Sequence, residues 1–406
     1  MHAEQQSEPS QAQPAILKKP EFEFKLLRQL GLSVYGGATF GECYSVAETM
    51  LEWDPAQWTQ RWADLAAGVE ERGLNSLNAG HHVSAREALL RACNYYHAAE
   101  YYALISNGPH AHYGLKCQQC FEAASPYLEH HVVAVSIKAD VVEYPCYFLS
   151  PDDSGVPRKT VLLVPGIESC GEEQYFYAGI SALRRGYNVL IFQGPGQTGL
   201  LRTSPECYLR HDYEVPLQVA LDYLHARKDV DTERLAVMGS GLGGYFSARL
   251  AVYDHRVKAL ALNPPFINLY RTFLALIGQR ATAVDFTVAD IEDLPDSIIR
   301  TDMKLFILNM CRRFGVTRLQ ELLKATQTYT IEDTLYRITC PALAVHGEAA
   351  YPELDSQAVQ FFEKIGSEIK YREYIPAIHI ADAHDHIGNL ALLNQTVFDW
   401  LDELFR

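Results

Sequence analysis

The chain is short of positive charge. It carries 35 Lys and Arg against 50 Asp and Glu, a formal net charge of −15. No basic block interrupts that acidity, which excludes a nucleic-acid partner and docking on an anionic membrane surface. Long apolar runs are missing too. No stretch approaches the ~20 residues that a spanning helix needs, so no membrane partner is expected. Residues 1–20, "MHAEQQSEPSQAQPAILKKP", lack the apolar centre of a secretory leader and read as a mobile tail. The nine cysteines are odd in number, scattered and mostly in apolar contexts. That pattern suits reduced thiols in a cytoplasmic protein, not a disulfide frame. "CQQC" at Cys117 and Cys120 has no second pair and no nearby histidines, so it predicts one face of a helix and no metal. "GPGQTG" (194–199) lacks the Lys-Ser/Thr end of a phosphate loop and reads as a strand-end turn. No cofactor is expected.

What is present is an ordinary globular composition, 48% hydrophobic and 21% charged, long enough for a large domain and a smaller one. After the tail, residues 21–128 read as a helical N-terminal region. "VSAREALLRACNYYHAAEYYALIS" opens on a Ser84/Glu87 capping box and then repeats apolar residues at helical spacing. "SVYGGATFGE" before it is a glycine-rich turn that could approach a site closely. From about residue 129 the period changes. "HVVAVSIKA" and "VVEYPCYFLS" predict an antiparallel opening pair. Strands then alternate with helices: "TVLLV" (160–164), "NVLIF" (188–192), "RLAVM" (234–238), "VKALAL" (257–262), "PALAVHG" (341–347) and "IKYREYI" (369–375). This is an α/β pattern, a mostly parallel, doubly wound sheet with helices on both faces. The core runs over 129–265 and 331–406. Residues 266–330 interrupt it with helical pattern only and predict a lid over the carboxyl ends of the strands.

"RLAVMGSGLGGYFSARLAVYD" (234–254) reads as strand, tight glycine turn and helix, the setting of a G-x-S-x-G nucleophile elbow. With Gly239 and Gly243 as the outer glycines, the nucleophile position falls on Gly241. Ser240 comes one residue early, where its side chain is expected to point into packing, and is a displaced-nucleophile candidate only. The backbone of the elbow survives. The N–H of Leu242, at the start of a helix, and an early N–H of the loop after "TVLLV", at Ile167 or Glu168, can form an oxyanion hole without any serine. Cys170 in the same loop is a second nucleophile candidate with no activating neighbour in sequence. After "PALAVHG" an acid is expected; Glu348 is followed by Ala349 and Ala350, and Glu353 and Asp355 come later. Near the C-terminus "HIADAHDHIGN" clusters His379, His384 and His386 after the last strand, with Asp382 and Asp385 near enough to orient one of them. His384 best fits a catalytic base. Tyr35, Glu172, Tyr175, Tyr177 and Tyr270 are candidates to line a substrate site, aromatic rings suiting a flat, conjugated molecule.

The order of "YGGATFGEC", "SAREALLRACNYYHAAEYY", "EEQYFYAGISALRRGYNVLIFQGPGQ", "MGSGLGGYFSARLA" and "ADAH…NLALLNQTVFDWLDELF" resembles the FrsA-like α/β-hydrolases over residues 22–406. The resemblance implies an α/β-hydrolase core, a helical N-terminal region, an inserted lid around a buried site, C–C bond cleavage beside a ketone, and a homodimer. It puts the family serine at Gly241, the family aspartate at Ala349 or Ala350, and the family histidine at His384. With serine and acid both replaced, the residues favour a non-hydrolytic enzyme of secondary metabolism. A histidine base and an oxyanion hole would cyclise, isomerise, dehydrate, or make or break a C–C bond in a polyketide-like carbonyl compound or aromatic ketone. Two other readings stay open: a C–C or ester hydrolase using water or a displaced nucleophile, and a non-catalytic small-molecule-binding protein.

Overall fold

The computed structural model describes residues 20–50, 54–103, 110–139, 141–295, 297–348, 352–376 and 384–406. The N-terminal region is built of α1 (Pro20–Gly31), α2 (Phe40–Thr49), α3 (Pro55–Asn78), α4 (His82–Ala103) and α5 (His110–Ala124). Local chemistry sets the starts. Thr39 caps α2 through the Glu42 N–H, and Asp54 caps α3 through the Ala56 N–H with Pro55 at the first helical position. α4 lies between α3 and α5 and is buried on nearly every side, including the polar residues Asn94, His97 and Glu100. It begins two residues before the expected cap. The Ala85 N–H already bonds the His81 carbonyl at 3.0 Å, so Ser84 sits inside the first turn and the Ser84/Glu87 pair is not its capping box.

The core is one eight-stranded sheet in the order β1-β2-β4-β3-β5-β6-β7-β8. β1 (His131–Ala139) and β2 (Val142–Ser150) pair antiparallel, and β2 joins β4 antiparallel. β3 (Arg158–Val164), β4 (Asn188–Phe192), β5 (Val230–Ser240), β6 (Ala259–Asn263), β7 (Ala342–Gly347) and β8 (Lys370–Ile375) run parallel. Side-chain alternation divides the core in two. Val161, Leu163, Ala236 and Met238 face a cluster shared with the N-terminal helices. Leu162, Val164, Leu235 and Val237 face the other. Burial on both faces explains why these strands read as continuous apolar runs.

The connecting helices are α6 (Gly171–Gln174), continued through a wide π turn at Tyr175–Gly179 into α7 (Ile180–Arg184), then α8 (Thr198–Leu201), α9 (Glu214–His225) and α10 (Gly243–Tyr253). Beyond β6 come α11 (Leu269–Ile277), α12 (Val288–Asp293), α13 (Thr301–Phe314) and α14 (Leu319–Thr326), with isolated bridges Asn268–Thr330 and Thr287–Arg318 as their only strand-type pairing among the described residues. α15 (Pro352–Lys364) precedes β8, and a 3-10 turn His384–Asn389 leads into α16 (Leu390–Leu404). The architecture is the expected α/β-hydrolase fold with a helical N-terminal region.

Candidate active site

β5 ends at Ser240 and α10 begins at Gly243, so the turn between them is Gly241–Leu242. Gly241 has φ +54°, the left-handed conformation of a nucleophile elbow, and its N–H bonds the Asn263 carbonyl at 2.8 Å. The elbow geometry is intact and only the side chain at its tip is gone. Gly243 is held by close approach: a Cβ there would come within 2.1 Å of the Val164 carbonyl oxygen. That contact brings α10 against the end of β3 and the loop that follows it.

Gly241, Leu242, Ser240, Ile167 and Glu168 all border one cavity of about 480 Å³ at the carboxyl ends of the parallel strands. The Ile167 carbonyl accepts from the Thr198 hydroxyl at 3.0 Å, which fixes the loop carrying the candidate oxyanion donors. Helix α13 braces the same region. Arg313 donates to the Gly196 carbonyl (2.6 Å) and to Thr198 Oγ1 (3.1 Å), and Asn309 Nδ2 donates to Glu168 Oε1 (3.0 Å). The segment expected as a lid thus also buttresses the loop. Leu276, Met303 and Phe306 from α11 and α13 give the cavity an apolar side.

Among the described residues, two buried histidines lie at this end of the sheet, His346 on β7 and His386; neither is among the described residues that border the cavity, but the next residue, Ile387, is. His386 meets β6. It is buried, with φ +60°, and its Nδ1 hydrogen-bonds Asn263 Oδ1. Asn263 Nδ2 donates to the Tyr177 hydroxyl at 2.6 Å, so Oδ1 turns to the imidazole and accepts from Nδ1–H. Nε2 then carries the lone pair and has no hydrogen-bond partner among the described residues. Burial pushes the His386 pKa down to about 4, against a smaller upward pull from the His346 backbone, so the ring is neutral near pH 7. The side chains of His384 and Asp385 lie outside the described residues, as do His379, Asp382, Ala349 and Ala350.

Other parts of the cavity wall are charged. Lys25 and Arg28 of α1, Tyr101 of α4, Glu168 and Glu173 border it. Burial alone would raise the Glu168 carboxyl, but Lys25 (3.1 Å) and Arg28 (3.8 Å) hold it near 2. Arg28 grips Glu173 through two hydrogen bonds of 2.6 Å. Behind them lies a paired cluster away from the cavity. Arg202 bridges Glu100 (2.7 Å, twice) and Glu172 (3.1 Å), Tyr147 donates to Glu172 (2.7 Å), and His97 lies 3.2 Å from Glu100 and 3.6 Å from Glu173.

Several expected site residues move. Tyr177 borders the cavity; Tyr35, Glu172, Tyr175 and Tyr270 are not among its described lining residues. Tyr35 and Tyr175 border a different cavity beside His130 and Arg184; Tyr175 and Tyr177, two residues apart on a helical turn, face different sides of it. Glu172 is locked to Arg202, and Tyr270 packs against the core beneath the lid. Ser240 borders the cavity instead of lying wholly in packing. Cys170 sits with Cys117 and Glu172, their ligand-type atoms all within 4.8 Å of one another. Burial pushes its thiol well up, against a smaller downward pull from His97. Asn263 was absent from the expected set; "ALALNPP", a buried strand ending on an amide before two prolines, is the signal that could have found it. Lys25, Arg28 and Tyr101 were missed because α1 and α4 are remote in sequence from every strand end.

No family model matches the chain. It is 30% identical over 417 residues to the alpha/beta hydrolase xenA of Xenoacremonium sinensis, spanning 95% of this chain and 96% of the relative. It is 27% identical over 418 residues to the hydrolyase poxO of Penicillium oxalicum, spanning 96% and 98%. Among solved structures, 2,6-dihydroxy-pseudo-oxynicotine hydrolase superposes with a TM-score of 0.72 at 20% identity, covering 92% of this chain and 95% of that one, a likeness of fold. End-to-end similarity to xenA, together with the sheet order and the elbow, leads to one assignment: the chain belongs to the α/β-hydrolase family, in the FrsA-like form that its motifs resemble.

Proposed function

We propose that the protein is a non-hydrolytic α/β-hydrolase-fold enzyme of secondary metabolism. In this reading His386 removes a proton beside a carbonyl, and the N–H groups of Leu242 and Ile167 hold the enolate oxygen. The observation that carries it is the pairing of an empty elbow tip, Gly241 at φ +54°, with a neutral imidazole aimed by Asn263. Asn263 replaces the missing carboxylate as the group that fixes the tautomer. An amide cannot stabilise an imidazolium as a carboxylate does, which suits proton abstraction from an already acidic C–H better than activation of an alcohol. Without a side chain at Gly241, the substrate carbonyl can sit where an acyl-enzyme would otherwise form. The cavity combines apolar side chains such as Leu276, Met303 and Phe306 with charged ones such as Lys25 and Arg28, which suits a polyketide-like ketone with an apolar tail. Relatives named both hydrolase and hydrolyase leave room for either outcome of such an enolate.

Hydrolysis with Ser240 as a displaced nucleophile is the second reading, favoured by the place of Ser240 at the cavity. Two measurements separate them. A long-chain β-keto ester in D2O should exchange its α-protons faster with the wild-type protein than with His386→Ala, followed by proton NMR. A fluorophosphonate probe should leave Ser240 unlabelled. Stoichiometric capture of Ser240, or exchange no faster than in buffer, overturns the proposal.

A further inference from the structure

A hydrolase that has lost its nucleophile raises the question of what else in the cavity could hold a substrate covalently. Among the residues that border the cavity, Lys25 is the amine whose surroundings match that task. It lies on α1 with only 7% of its surface exposed. Its Nζ sits 3.1 Å from Glu168 Oε2 and 3.3 Å from the centre of the Tyr101 ring. Arg28, one turn further along α1, is a second cation beside it. Burial among carbon and beside a like charge is what turns a lysine into an amine nucleophile, because both disfavour the ammonium. Here burial, aided by Arg28 and opposed by Glu168, lowers Lys25 to about 8. Glu168 accepts a hydrogen bond from the amine and so fixes its position. It also belongs to the loop of the candidate oxyanion hole, so the amine and the hole share one residue.

The geometry points to Lys25 as a covalent carbonyl-binding residue, whose Nζ condenses with a ketone or aldehyde of a β-dicarbonyl substrate while the second carbonyl oxygen lies in the oxyanion hole. The step balances without an oxidant. The ammonium gives one proton to solvent, and the freed lone pair adds to the carbonyl carbon as the C=O π pair moves to oxygen. The alkoxide takes one proton from the new N–H and a second from solvent, and leaves as water when the nitrogen lone pair forms the C=N bond. The iminium acidifies the neighbouring C–H for removal by His386. After the carbon chemistry, water adds back and frees the lysine. This rests on the reading that the cavity takes a carbonyl compound, and narrows it to dicarbonyls.

The test is reductive trapping. The full chain is incubated with a long-chain β-keto ester and sodium cyanoborohydride, digested, and mapped by mass spectrometry. The expected result is one dominant secondary amine, at Lys25. Its initial rate should rise about fiftyfold from about pH 6 to about pH 8, following the free amine. The groups around the amine are Glu168, Tyr101, Arg28, Glu173 and the Arg300–Asp302 pair of the lid, and only Lys25 among them forms such an adduct. Lys25→Arg keeps a cation for Glu168 and should lose the adduct while melting at the wild-type temperature. If that variant misfolds, the wild-type peptide map decides alone. Label spread evenly over surface lysines, or absent from Lys25, overturns the proposal. So does α-proton exchange of the same probe that needs His386 but is unchanged in Lys25→Arg; that outcome leaves the base reading standing and removes only the imine.

Discussion

Two buried polar regions lie within a few side chains of each other, and they differ in what their charges lack. Around Arg202 every described carboxylate is gripped: Glu100 and Glu172 by Arg202, Glu173 by Arg28. Around Gly241 the cavity also carries charge, on Lys25, Arg28, Glu168 and Glu173, but there the Nε2 of His386 has no hydrogen-bond partner among the described residues. The first region is closed on itself. Its groups neutralise one another, and they fasten α4 and α1 to the loop after β3. The second keeps an unpartnered ring nitrogen on His386, and the backbone of the elbow borders the cavity. Unmet hydrogen-bonding capacity, not density of charge, is what the proposed function draws on.

The largest effect should come from breaking the paired region. Arg202→Met leaves Glu100 and Glu172 buried without their cation, and a loss of about 3–5 kcal/mol in denaturant unfolding is expected. A variant as stable as wild type would show that the cluster does not fasten the N-terminal helices. On the other side, His386→Ala should cut α-proton exchange by roughly 10²–10⁴ with little change in melting. Asn263→Ala should cost roughly tenfold to a hundredfold in the same assay, since the ring loses its orientation and not its lone pair. Ser240→Ala should change exchange least of all.

Acid should separate the two regions as well. His386 is held at about 4, below the ordinary histidine value of 6.5, so its neutral burial stabilises the fold fully above about pH 6.5. That contribution is lost as pH falls from there through 4, on the order of 3 kcal/mol. Glu100 and Glu168 are held near 2 by their cations despite burial. Their contribution is present above about 4.5 and is lost as pH falls toward 2. Melting temperature against pH should therefore descend in two steps, and His386→Phe should flatten only the upper one, though His130, also held at about 4, keeps part of it.

Much of the fold is legible in the sequence because it is local. "TVLLV" and "NVLIF" are apolar on both faces, which only a sheet covered on both sides accommodates. "GSGLGG" dictates a turn that needs φ > 0 at Gly241 and backbone contact at Gly243. The loss of the serine is equally plain, as is the clustering of histidines after the last strand. The surroundings of His386 are not: the 3-10 turn that leads into α16, with His386 at φ +60°, brings its imidazole to Asn263.

The sequence by itself therefore determined the α/β-hydrolase core, the order of its strands and helices, and an elbow without a nucleophile. Each follows from period, glycine position and burial on neighbouring residues. Only the tertiary structure decided which side chains share the cavity. Lys25, Tyr101, Glu168 and Met303 come from four separate segments. Contacts of that kind depend on how helices pack over strand ends, an outcome of the whole core's shape and not of any one stretch of chain.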